Sequence, residues 1–164
     1  MLSENEILDE DLLDDEEEED TQQDKFLTFF INREEYGIDI RYVTEIIGIQ
    51  NITEVPDVSD FIKGVINLRG KVIPVMDVRL RFGMEERPYD GRTCIIVIHV
   101  EGQAVGLIVD RVSEVLDIPE SEIEPPPRVY RGTKGRFLLG LGKVGDSVKI
   151  LLNAGNFLFE EEGN

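Results

Sequence analysis

A chain of 164 residues, 41% of them hydrophobic, is long enough to bury a real core in one domain or in two very small ones. Of its formal charge of −18, residues Met1 to Asp24 hold thirteen acids and no Lys or Arg, which leaves 22 acids against 17 bases in the rest. The acidic balance argues against nucleic acid as a partner, which calls for a basic stripe with stacking aromatics. No apolar run reaches the length of a membrane helix, and the single Cys94 excludes an internal disulfide.

The tail from Met1 to Asp24, with its run Asp14 to Asp20, repels itself and has few apolar residues to offset the entropy of ordering, so it is expected to be disordered. Lys25 to Ile31 reads as a strand, Asn32 to Glu35 as a turn and the following apolar segment as the second arm of a hairpin. Ile40, Val43 and Ile46, spaced by three, then predict a short helix that Asp39 would cap. From Gly64 to Val75 a second hairpin is expected, with Gly70 at the positive-φ position of a type II turn and Pro74 placing its strand at a sheet edge or at a bend. Asp77 is the natural cap of a one- to two-turn helix that Gly83 ends.

Thr93 to Val100 is another strand, turned at Glu101 to Gln103, and Val109, Val112 and Val115 predict another short helix. Cys94 lies in this strand as a packed thiol, and its presence is consistent with a reducing compartment. Pro125 to Pro127 stiffen a connector into Arg128 to Arg136, which is expected to carry the chain back to the first half. Val148 to Leu152 closes the series as a strand, with Asn153 capping a short helix to Phe159 and an acidic end at residues 160–164.

These elements are one unit used twice. Phe26 to Ile47 and Ile95 to Leu116 align without a gap at an offset of 69, placing Gly37 on Gly106, Val43 on Val112 and Glu45 on Glu114. A second echo at an offset of 76 places Gly64 on Gly140, Val72 on Val148, Val75 on Leu151 and Asp77 on Asn153. Short strands, tight turns and little helix, repeated in this way, predict an all-β architecture of two small barrels of about five strands each. Function is then sought where the copies disagree. The largest disagreement is Asn67 to Gly70 (NLRG) against Lys143 to Asp146 (KVGD), and only the first tip presents an arginine, Arg69.

Enzymatic chemistry has little support. His99 alternates with apolar neighbours inside a strand, no Ser or Cys stands in a nucleophile turn, and Asp39 and Asp110 fall at predicted helix starts, where capping explains them. The tail lacks the alternating acids around a glycine turn that a calcium loop needs. Basic residues are scattered, apart from the neighbourhood of Arg79, Arg81 and Arg87. The remaining class is an interaction module, and Arg69 is its sharpest point, a planar fork of donors held on a stiff hairpin, although sequence physics alone favours an ordinary solvated turn arginine there.

The segments EEYGIDI (Glu34 to Ile40), VTEI (Val43 to Ile46), PDVSDFIKGVINLRGKVIPVMDVRLRFG (Pro56 to Gly83) and GLIVDRVSEVL (Gly106 to Leu116) resemble the CheW family of bacterial chemotaxis adaptors. The likeness divides the chain into an acidic tail at 1–24, a CheW-like domain of two intertwined small barrels at 25–159 and a short acidic end at 160–164, and it assigns the tail no role. It implies an all-β fold of two SH3-like five-stranded β-barrels with a few short helices, and no catalysis or cofactor. The implied function is to couple methyl-accepting chemoreceptors to the histidine kinase CheA in the cytoplasm, at receptor arrays on the inner membrane. A regulatory module of a larger CheA or CheV-type protein is the alternative.

Carried over residue by residue, the likeness places Val43, Glu45 and Arg69 in a receptor groove whose wall is shaped by Phe61, Gly64 and Asn67. It places Ile47, Ile49 and Ile52 on a kinase-facing surface of the first barrel. Val43 and Glu45 recur in the second copy as Val112 and Glu114, so both are expected to serve the scaffold as well. Arg69 has no such counterpart.

Overall fold

In the computed structural model, which describes residues 22–127 and 133–161, apolar hairpins build two sheets rather than one. The strands are β1 (Lys25–Ile31), β2 (Glu34–Asp39), β3 (Val43–Gly48), β4 (Ile62–Leu68), β5 (Lys71–Asp77), β6 (Cys94–Val100), β7 (Gln103–Val109), β8 (Arg111–Asp117), β9 (Ile123–Glu124), β10 (Leu138–Val144) and β11 (Ser147–Leu152). Short helices α1 (Val78–Arg81), α2 (Thr133–Arg136) and α3 (Ala154–Phe159) join them. The acidic tail up to residue 21, most of the connector that starts at Arg128, and residues 162–164 lie outside the described residues.

One sheet runs β8-β1-β2-β11-β10-β9 and the other β3-β6-β7-β5-β4. The duplication therefore has a physical form, because each copy's first hairpin (β1–β2, β6–β7) takes its outer strand from the other copy. β3 leaves the first hairpin to pair with β6, and β8 leaves the second to pair with β1. Each second hairpin joins by a parallel contact, β5 to β7 and β11 to β2. These contacts explain the aligned glycines. A Cβ on Gly37 would stand 2.8 Å from Leu151, and one on Gly106 2.9 Å from its equivalent, Val75.

Three expectations change. The segments read as helices at Val43 and Val112 are strands, and only Ile40–Tyr42 forms a single 3-10 turn, capped by the Asp39 carboxylate, which accepts from Arg41 N at 2.9 Å. Exposure in β3 alternates residue by residue, and its Val, Thr and Ile side chains suit a pleat better than a helix. The turn after β4 is not type II, because Arg69 (φ 52°) and Gly70 (φ 87°) are both left-handed, which is the type I′ geometry that matches strand twist. Pro74 lies in an interior strand. Its partner Val65 turns both backbone groups toward Thr53, and the parallel pairing with β7 begins one residue later at Val75, so no ladder bond is lost.

The helix caps are as expected. Asp77 accepts from Leu80 N and Asn153 from Asn156 N, and Gly83 (φ 77°) ends the first helix turn. The main core lies between the sheets, where Phe29 and Ile38 meet Ile96, Ile98 and Leu107, and a run of rings from Tyr36 through Phe82 to Phe157 and Phe137 extends it. Each sheet also curls around a smaller core, Ile66, Ile73, Val75, Ile95, Val97 and Ile108 in one and Phe26, Ile118 and Leu151 in the other. The result is a pair of SH3-like barrels sharing a central layer.

Candidate functional site

The β4–β5 hairpin is stiff from root to tip. At its root, Gly64 (φ 144°) lets Thr53 pair with Val65 through two 2.9 Å backbone bonds, and a Cβ there would fall 2.1 Å from the Thr53 carbonyl. At its tip, the Asn67 carboxamide accepts from Gly70 N at 2.9 Å and closes the turn. Between Asn67 and Gly70 stands Arg69, with 71% of its side chain exposed.

The guanidinium of Arg69 reaches across to β3 and donates to the Glu45 carboxylate, whose side chain is 26% exposed. This bond, and then the opposite charge, push the arginine's pKa further up, so the fork stays fully charged. Glu45 holds the middle of a half-buried row on β3. Val43 on one side packs against the central core, and Ile47 on the other packs, with Ile49 and Ile52, against the core of the first barrel.

Of the expected receptor residues, the structure thus joins Glu45 to Arg69 directly and ties Asn67 and Gly64 into the hairpin that carries them. Phe61 stands at the hairpin's root, half-buried, with its ring 4.3 Å from the Arg81 guanidinium. Ile47, Ile49 and Ile52 are half-buried around one core. Two other apolar side chains of this sheet, Ile46 on β3 (44%) and Val72 on β5 (69%), are more exposed. A helical reading turned Ile46 inward with Val43, whereas strand alternation turns it out. Both positions are apolar and exposed again at Val115 and Val148, the equivalents in the second copy.

Arg69 occupies the position that Gly145 (φ 59°) fills in the other barrel. A glycine adopts this backbone freely and an arginine does not. The first copy therefore accepts local strain at that corner and places a charged fork there, where the second copy has none.

Residues 25–162 match the family model of the CheW-like domain. The chain belongs to the CheW family. It is 39% identical over 143 residues to the chemotaxis protein CheW of Klebsiella aerogenes, a match covering 87% of this chain and 86% of that one. It is 42% identical over 104 residues to the Bacillus subtilis CheW, covering 63% and 67% of the two chains. Among solved structures, the scaffolding protein TtCheW of Thermoanaerobacter tengcongensis superposes with a TM-score of 0.77 at 42% identity, over 86% of this chain and 95% of that one. CheW-like architecture accounts for both sheets described above. Among the described residues, no helix is long and apolar enough to cross a membrane, and no group of three or more His, Cys, Asp or Glu could hold a metal ion.

Proposed function

We propose that this chain is a non-enzymatic chemotaxis adaptor that couples methyl-accepting chemoreceptors to the histidine kinase CheA, working in the cytoplasm at receptor arrays. Membership of the CheW family over nearly the whole folded part supports the adaptor role, and the asymmetry at Arg69 supports the location of one contact.

The receptor tip is taken to be a helical hairpin laid along β3 and the β4–β5 corner. Val43 and Phe61 would supply apolar anchors, with Gly64 and Asn67 holding the wall, while Arg69 and Glu45 at the rim set the register by charge. The existing Arg69–Glu45 bond holds the fork in place before a partner arrives, which lowers the entropy lost on binding. The kinase is assigned the first barrel's rim, at Ile47, Ile49 and Ile52, which are half-buried around that barrel's core. A related barrel of CheA would meet this rim through apolar side chains.

Co-sedimentation of the full chain with a receptor signalling fragment and a CheA regulatory fragment, separately and together, tests this reading. Recovery of all three in one complex is expected. Binding to neither fragment would refute it.

A further inference from the structure

Helix α1 carries two arginines, both withdrawn from solvent: Arg79 is 8% and Arg81 1% exposed. Residues two apart on a helix leave it on nearly opposite sides. Arg79 donates to Asp110, at the β7–β8 corner, through Nε at 2.8 Å and Nη2 at 2.5 Å, and to Asn32 Oδ1 in the β1–β2 turn. Arg81 donates through Nε to the Phe157 carbonyl at 2.7 Å and through Nη2 to the Glu160 carbonyl at 2.6 Å, at the C-terminal end of α3.

The Arg81 guanidinium also lies over the rings of Phe61 and Phe137, 4.3 Å from each centroid. Phe61 precedes β4 and Phe137 precedes β10, and the offset of 76 makes them equivalents. At the same offset, Arg79 corresponds to Gly155 and Arg81 to Phe157. The repeated helix thus carries both cations in the first copy and neither in the second. Burying a guanidinium is costly even when it is bonded, so an apolar residue would serve packing as well; what the fork adds is direction.

We propose that Arg79 and Arg81 are positioning residues that make α1 a clasp. Arg79 fastens it to the corner where β8 crosses to the other sheet. Arg81 fastens the root of the Arg69 hairpin, through Phe61, to Phe137 and the end of α3. The orientation of the receptor-facing corner relative to the second barrel is then set by these two side chains, a consequence that rests on the receptor reading above, whereas the clasp itself does not.

Amide hydrogen exchange on the full chain separates this from simple core filling. In Arg81→Met, the amides of Phe157 and Glu160, which close α3, and of Asp77, which bonds to the Phe61 carbonyl, are expected to exchange about tenfold faster, the scale of one lost hydrogen bond. Amides of β6 and β7 are expected to be unchanged. Acceleration of all amides by one common factor, or of none, would overturn the clasp. Arg81→Lys, which keeps the charge and stem without the fork, guards against a variant that fails to fold and is expected to give the same local pattern at smaller amplitude.

Receptor-fragment affinity of Arg81→Lys is expected to fall about fivefold with CheA-fragment affinity unchanged. An unchanged receptor affinity would overturn the positioning role. Should the unaltered chain bind no receptor fragment, the functional reading fails, while the exchange pattern still decides the clasp.

Discussion

A glycine would turn the β4–β5 corner with less strain than Arg69 does, and the second barrel uses one at Gly145. Stability and the proposed receptor contact should therefore separate at this residue. Arg69→Gly is expected to keep or raise the melting temperature while weakening the receptor fragment at least about 30-fold, the scale of a central interface arginine, with CheA binding nearly intact. Titration calorimetry beside a thermal melt checks both halves; equal losses to both partners would point to damage of the fold. Gly64 behaves in the opposite way. Its missing Cβ is what lets the Thr53 carbonyl approach, so Gly64→Ala is expected to cost about 2 kcal/mol or more in urea unfolding and to disturb the root of the hairpin. The exposed place of Arg69 at a hairpin tip was legible in the sequence, where the copies differ. Its bond to Glu45 was not, since the two lie 24 positions apart and meet only through tertiary structure. Arg81 was misleading, because an arginine beside Arg79 and Arg87 reads as a basic surface and is in fact buried.

Among the elements, hairpins were readable from β-branched runs bounded by turn residues, and both caps from single side chains. The strands β3 and β8 were not, because Ile40, Val43 and Ile46 fit a helical spacing, while the pairing that overrides it comes from β6 and β1, far along the chain. The β7–β8 corner where one exchange occurs is fixed by Asp110. Burial pulls its pKa up, but the hydrogen bond from Arg79, the Asn32 N–H at 2.7 Å and the charges of Arg79 and Arg87 outweigh that and hold the carboxyl below its ordinary value. With a depressed folded pKa, the contribution of Asp110 is full above the unfolded value of about 4 and is lost as pH falls through the folded one. Asp110→Asn leaves Arg79 without its carboxylate and is expected to lower stability by about 2 kcal/mol at pH 7. The gap between variant and parent should close below about pH 4, as read from urea midpoints across a pH series. A gap constant with pH would contradict the assignment.

At the scale of the molecule, exchange of β3 and β8 means that neither barrel is complete without the other half of the chain, and the largest core is built from both sheets. The folded part is expected to unfold in one transition, with calorimetric and van't Hoff enthalpies in agreement; two resolved transitions would show the barrels to be separable. The repeat was legible in the residues and the family resemblance implied that the two barrels intertwine, but the identity of the traded strands was not readable, because an internal repeat reveals that two units are alike and says nothing about which strands they exchange. A single rigid body with unlike corners is what an adaptor requires, since it holds two partners at a fixed spacing without chemistry. Mixing the full chain with both fragments and weighing the products by light scattering tests that claim most directly. The account predicts a complex containing all three, from which Arg69→Glu removes only the receptor; displacement of one partner by the other would contradict it.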